Sequence, residues 1–216
     1  MNNQFIEWAK EQLNSSDYVI TKERHGDQSD VFRIGTPNGN YFLKIGTKLS
    51  KEKERLEWLN GKLPVPKVIG FKKIEDKETL LLSAIEGNNL AVLKKEWPEE
   101  KVINKLVEAL KNFHAIKTTD CTFGNYEIGR VLVHGDACLP NFIFNGDKFS
   151  GYIDLGDMTI GDREIDFAVA IWSLDYNLGN GHGLEFLKKY GVENATEEMA
   201  EKLKLKYEDM QKEWGL

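Results

Sequence analysis

Two kinds of periodicity divide this chain. In its first part the apolar residues come in short β-prone runs: Tyr18-Val-Ile-Thr, Val31-Phe-Arg-Ile, Tyr41-Phe-Leu-Lys-Ile, Val68-Ile-Gly-Phe and Thr79-Leu-Leu-Leu. The turn-forming stretches His25-Gly-Asp-Gln-Ser-Asp, Thr36-Pro-Asn-Gly-Asn and Glu75-Asp-Lys-Glu separate them, which predicts an antiparallel meander. Two helices are expected beside it. One, over Gln4 to Leu13, gathers Phe5, Trp8, Ala9 and Leu13 on one face; the other, over Lys51 to Asn60, turns Leu56 and Leu59 inward and stops at Gly61. After Gly87-Asn-Asn, read as a hinge, helical spacing takes over. Pro98 opens a helix carrying Val102, Ile103, Leu106, Leu110 and Phe113, and three terminal helices are expected near 163–176, 183–190 and 196–214. Between them lie the short runs Arg130-Val-Leu-Val-His, Asn141-Phe-Ile-Phe and Tyr152-Ile-Asp, two of them joined by the tight-turn signal Asn145-Gly-Asp. The expected fold is α+β, with a β-rich N-lobe over 1–86 and a mainly helical C-lobe over 87–216.

A chain of 216 residues with 41% hydrophobic content can build one sizeable domain or two compact lobes. Its two cysteines, Cys121 and Cys138, follow neither a metal-ligand spacing nor a disulfide-rich pattern, which fits a reducing compartment and removes zinc as a theme. No basic stretch followed by an apolar run opens the chain, and no segment approaches the roughly 20 apolar residues that span a bilayer. The expectation is a cytoplasmic protein without a membrane partner. A net charge of −6 argues against general affinity for nucleic acid, which needs a basic face. It suits a cationic acceptor, although solubility alone also accounts for it.

The chemistry concentrates in His134-Gly-Asp-Ala-Cys-Leu-Pro-Asn141, followed one hairpin later by Ile153-Asp-Leu-Gly156. Phosphoryl transfer asks little covalent help of a protein: a group to orient the acceptor hydroxyl, and ligands that fix Mg²⁺ on the nucleotide phosphates. An Asp with a downstream Asn, then Asp-x-Gly, is the arrangement kinases use. Asp136 is the candidate base, and Asn141 and Asp154 are the candidate metal ligands. Singly, His-Gly-Asp also reads as a turn at a strand end and Asp154 as a turn former; the weight lies in their order. His134 reads as a packed residue fixing the loop rather than a proton carrier. Lys44 ends the apolar run Tyr41-Phe-Leu, ahead of a helix that offers Glu52, Glu54 and Glu57. A lysine there can contact nucleotide phosphates, or, on an edge strand, simply be solvated. The loop Gly26-Asp-Gln-Ser29-Asp30 lies where a nucleotide-covering loop belongs, but it has one glycine and reads equally as a hairpin.

These motifs resemble the aminoglycoside phosphotransferases, most closely their 3′-phosphotransferase branch. The resemblance runs nearly end to end. It is carried by Tyr41-Phe-Leu-Lys44, by Glu57-Trp-Leu-Asn-Gly-Lys-Leu-Pro-Val-Pro-Lys-Val68, by His134-Gly-Asp136 with Asn141, and by Gly151-Tyr-Ile-Asp-Leu-Gly156 continuing into Asp162-Arg163 and Asp166-Phe-Ala. It implies a bilobal protein-kinase-like fold. It also implies Lys44 on the nucleotide phosphates with Glu52 as its helix partner and Glu54 as the fallback, and Ser29 as a phosphate-contacting serine. Main-chain groups at Ser83 and Ile85 would pair with adenine, Asp136 would be catalytic, and Asn141 and Asp154 would be Mg²⁺ ligands. Tyr207-Glu-Asp209 resembles the acidic pair that meets drug amino groups, which makes Glu208 and Asp209 candidate acceptor contacts.

The chain departs from this pattern in two places. Asp157 stands where the family commonly has Arg, and only about 20 residues separate His114 from His134, where the family usually inserts a larger helical segment walling the acceptor site. Three readings follow. The first is an ATP- or GTP-dependent, Mg²⁺-dependent O-phosphotransferase with an aminoglycoside-like small-molecule acceptor. The second keeps the mechanism with a cytoplasmic metabolite as acceptor: a sugar, amino alcohol or nucleoside. The third is a nucleotide-binding module without turnover.

Overall fold

The structure, a computed structural model, describes residues 3–25, 29–124, 127 and 129–214. It divides into two compact units, Met1–Ile85 and Glu86–Leu216. The first holds α1 (Asn3–Leu13), β1 (Val19–His25), β2 (Ser29–Thr36), β3 (Gly39–Gly46), α2 (Leu49–Leu59), β4 (Val68–Ile74) and β5 (Lys77–Ser83). Its five strands form one antiparallel sheet in the order β1-β2-β3-β5-β4. β3 is therefore a central strand and not the edge strand on which a lysine would simply be solvated. Side chains alternate across a strand. Leu43 and Ile45 point into a core with Phe32, Ile34 and Leu81, covered by Phe5, Ile6, Trp8 and Ala9 of α1. Lys44 faces the other way, toward α2, which buries Leu49, Glu52, Leu56 and Leu59 at helical spacing.

The second unit holds β6 (Asn88–Asn89), α3 (Leu90–Leu93), α4 (Glu99–His114), β7 (Val131–Val133), a 3₁₀ turn over Leu139–Asn141, β8 (Phe142–Asn145), β9 (Lys148–Tyr152), β10 (Thr159–Gly161), α5 (Glu164–Leu178), α6 (Gly183–Tyr190) and α7 (Glu197–Trp214). Two small sheets, β6-β8-β9 and β10-β7, accompany the helices. α4 buries Val102, Ile103, Leu106, Leu110 and Phe113 along one stripe. α5 is apolar over much of its circumference and buries Phe167 through Ile171 without a break, so it is a central helix rather than an amphipathic surface one.

The Gly87-Asn-Asn stretch, which its composition reads as a hinge, lies at the start of the second unit, directly after the division between the two. Asn88 and Asn89 pair with Phe144 and Ile143 of β8, and the Asn89 side chain caps α3 by accepting from the Val92 N–H at 3.0 Å. Gly87 has φ 126°, and a Cβ there would sit 2.2 Å from the Phe144 carbonyl oxygen. Both backbone strain and a clash with main chain therefore oppose any side chain. We expect Gly87→Ala to destabilise the second unit by about 2–4 kcal/mol, read as a lower urea midpoint at an unchanged m-value.

Candidate active site

The loop from His134 to Asn141 leaves β7, and the turn from Asp154 to Asp157 leads into β10, the strand paired with β7. Their approach is close enough to require a glycine. Gly135 has φ 84°, and a Cβ on it would lie 2.4 Å from the Asp157 carbonyl oxygen. His134 is fully buried. Its Nδ1 accepts from the Asp136 N–H at 3.3 Å and its Nε2 donates to the Ile153 carbonyl at 3.1 Å, which requires the neutral tautomer with the proton on Nε2. The ring ties two loops together, the packing role expected of it.

Asn141 holds Asp136 in place. Its Nδ2 donates to both the backbone oxygen and Oδ2 of Asp136, each at 2.9 Å. With two acceptors facing one end of the amide, the orientation of Asn141 is fixed, and its Oδ1 points away from Asp136. The Ile153 N–H donates to the Asn141 carbonyl at 3.1 Å, and Phe142 is in register with Tyr152. The β8–β9 hairpin thus sets Asp154 beside the end of the loop. Asp154 is exposed and has φ 61°, the left-handed region an Asp tolerates better than most residues.

Under this loop lies a brace with no role in the expectations drawn from sequence. Asp166, fully buried in the first turn of α5, accepts from the Gly135 N–H through Oδ1 at 2.9 Å, and from the His134 N–H through Oδ2 at 2.8 Å. His114, at the end of α4, donates from Nε2 to the same Oδ2 at 2.9 Å, and its Nδ1 meets the Tyr190 hydroxyl at 2.7 Å. Farther along, the Leu139 N–H donates to Ser173 Oγ of α5 at 2.9 Å. In the sequence Asp166 figures only within the family-like run Asp166-Phe-Ala, and an acid in a helix's first turn also matches the helix dipole. Cys138 sits in the loop with a thiol pushed well above its ordinary range, by burial first and by the Asp136 charge second, so it is a poor nucleophile at neutral pH.

In the first unit, Lys44 Nζ lies 2.7 and 2.8 Å from the two carboxylate oxygens of Glu52, with side chains 13% and 5% exposed. Glu54 is exposed, and Glu57 pairs with Lys53 instead. Ser29 begins β2 opposite Gly46. The Ser83 N–H donates to the Lys67 carbonyl at 2.9 Å, and its hydroxyl oxygen accepts from the Lys67 N–H at 2.9 Å. Ile85 is half-buried at the end of the unit. Of the loop over 26–30 expected to cover a nucleotide, residues 26–28 lie outside the described residues. On α7, Glu208 is half-buried and Asp209 exposed. Among the described residues no cluster of three or more His, Cys, Asp or Glu side chains forms a metal cage.

An α+β chain with this loop, hairpin and lysine–glutamate pair has the architecture of kinase-like phosphotransferases. The crystal structure of a type VIII aminoglycoside 3′-phosphotransferase superposes with a TM-score of 0.72 at 19% identity, over 92% of this chain and 96% of the other. APH(3″)-Id from Streptomyces rimosus, in complex with ADP and streptomycin, gives 0.73 at 18% identity, over 94% and 96%. The model of the phosphotransferase enzyme family matches residues 20–130 and 127–201, and the chain belongs to that family, the aminoglycoside phosphotransferases. Its reaction class is phosphoryl transfer to a hydroxyl group. The aminoglycoside 3′-phosphotransferase of Niallia circulans is 27% identical over 92% of this chain and 95% of its own length. The probable aminoglycoside 3′-phosphotransferase of Lactococcus lactis subsp. lactis is 25% identical over 86% and 89%. The alignment with the Niallia enzyme is 253 positions long for 92% of a 216-residue chain, so the relative carries segments with no counterpart here.

Proposed function

We infer that this chain moves the γ-phosphoryl group of ATP or GTP onto a hydroxyl of a small cationic acceptor of the aminoglycoside kind. The observation that carries the reading is the double hydrogen bond from Asn141 to Asp136. It fixes one carboxylate oxygen of Asp136, so that the other would serve as the acceptor for a substrate proton, and Asn141 Oδ1 would be left for another ligand. Asp136 would orient the attacking hydroxyl and receive its proton. Asn141 Oδ1 and the Asp154 carboxylate are hard oxygen donors of the kind that holds Mg²⁺ together with waters and substrate phosphates, and the ion, when bound, neutralises charge on those phosphates. Lys44, steadied by Glu52, would contact the nucleotide phosphates, and Ser29 would contact them from the covering segment. Because the Ser83 N–H is spent on Lys67, Ser83 would offer its carbonyl to the adenine amino group and Ile85 its backbone. Glu208 and Asp209 would meet amino groups of the acceptor. Solved relatives carry ADP with streptomycin, or AMP-PNP with hygromycin B, which supports both substrate classes.

The deciding experiment measures Mg²⁺-dependent ADP and GDP release with a panel of aminoglycosides and small hydroxylated metabolites. Stimulation by an aminoglycoside upholds the reading; release unaffected by every acceptor and by Mg²⁺ would sink it. A second reading, a kinase of a smaller cytoplasmic metabolite, is favoured by the segments of the Niallia relative that this chain lacks. It predicts stimulation only by the metabolites. In either case Lys44→Ala removes a charged hydrogen bond to phosphate worth about 1.5–3 kcal/mol, so the nucleotide KM should rise roughly 10–100-fold. The variant K44A also strands a buried Glu52, so the double variant K44A/E52Q separates the nucleotide effect from lost stability.

A further inference from the structure

Beside the catalytic loop, α5 and α7 carry an aromatic group that none of these roles uses. Trp172 and Tyr176, one turn apart on α5, stack with centroids 5.3 Å apart and planes 12° from parallel. Tyr207 of α7 meets Trp172 edge-on, 5.4 Å between centroids at 65°. Tyr176 is 77% exposed, so its outer face is open, while Trp172 and Tyr207 are half-buried. Three rings held in order with part of their surface in water are a preorganised binding face rather than core.

Their position follows from the loop. Ser173, the neighbour of Trp172, accepts the Leu139 N–H at 2.9 Å and so ties this part of α5 to the segment bearing Asp136. The Tyr207 hydroxyl is held above its ordinary range by burial first and then by its neighbours on this loop, Cys138 and the Asp136 carboxylate, with Asp157 adding to them, which sets the ring near the same loop. Acids frame the rings. Asp175, on the turn between Trp172 and Tyr176, pairs with Lys204 at 2.8 Å through Oδ2, while its buried Oδ1 has no hydrogen-bond partner. Glu208 follows Tyr207 and is half-buried. Lys204 offsets Asp175, so the acidic side of the field comes from Glu208 and from Asp136 and Asp157, and aromatic faces beside such acids complement a cation with apolar flanks.

We propose that Trp172, Tyr176 and Tyr207 form a shelf that takes the protonated amine end of the acceptor, an amino sugar or amino alcohol, while its hydroxyl lies at Asp136. The proposal rests on the phosphotransferase reading above and assigns the residues that select a cationic acceptor.

The test measures acceptor-stimulated ADP release and, separately, calorimetric binding to the full chain, for wild type, Trp172→Ala, Trp172→Phe and Tyr176→Ala. The probes are streptomycin, gentamicin and ethanolamine-type amino alcohols, each beside its uncharged N-acetylated counterpart; the two groups of amine separate the amino-sugar source from the amino-alcohol one. In W172A the acceptor KM and Kd should rise roughly 5–30-fold with the nucleotide KM within about twofold, and W172F should recover most of the loss. Acetylation should weaken wild-type binding by a similar factor and leave W172A nearly indifferent. Unchanged acceptor KM in W172A, or equal binding of charged and acetylated probes, overturns the shelf while leaving phosphotransfer intact. If no probe stimulates ADP release yet amines bind in a Trp172-dependent way, the shelf stands and the assigned reaction falls; if no amine binds at all, the shelf falls too. Should W172A fail to fold, exposed Tyr176→Ala decides on the same criteria.

Discussion

Replacing Asp136 with asparagine should lower turnover by roughly 10²–10⁴-fold, the usual contribution of a positioned general base, with nucleotide affinity nearly unchanged. The substitution keeps the side chain's size and its Oδ-type acceptor toward Asn141, so the loop has reason to stay folded. What it removes is the second acceptor oxygen, replaced by an amide NH₂ that cannot take a proton from a hydroxyl. Single-turnover rates with saturating acceptor, alongside equilibrium binding of a nonhydrolysable nucleotide, separate the two effects. Asp136→Ala should be as inactive and somewhat less stable, because the Asn141 amide then loses one partner. Wild-type rates in either variant would remove Asp136 from the mechanism.

Asp166→Ala should be the most damaging change away from the reacting groups. It leaves the His134 and Gly135 N–H groups without acceptors in the protein interior, at a cost of about 1–3 kcal/mol each, and it strips His114 of its carboxylate partner. A net loss of about 3–5 kcal/mol is expected, seen as a fall in Tm of roughly 10 °C. Activity should drop in the surviving folded fraction as well, because the two amides set the direction in which Asp136 leaves β7. His114→Ala removes only one of the three donors to Asp166 and should cost less in both respects. Equal Tm for D166A and wild type would mean that the brace carries no stability.

Much of this architecture was legible because it is local. The boundaries of α5, α6 and α7 follow the apolar spacing closely, and the five strands of the first unit are the β-prone runs themselves. Lys44 and Glu52 meet across a strand, a short turn and a helix, a separation within which spacing constrains contact. What escaped the sequence is of two sorts. β6, α3 and β10, of two to four residues, are too short to show a period, and they exist because tertiary partners complete them. The brace of His114, Asp166 and Ser173 joins side chains to backbone 31 to 34 residues away, and the His114 ring to the Asp166 carboxylate across 52 residues. Its logic is the satisfaction of buried N–H groups, which no pattern of apolar residues encodes.

The attachment of the loop at both ends bears on how its length can change. The chain between His114 and Val131 starts from a side chain locked to Asp166 and finishes in a strand locked to β10, with Phe123 and Gly124 resting on Ile160 between them. Since each doubling of a connection's length costs only about 0.6 kcal/mol in closure entropy, insertions there leave both anchors, and therefore Asp136, where they are. A longer or shorter stretch here is therefore expected to leave the anchors of the Asp136 loop in place, so its length can change without moving that loop.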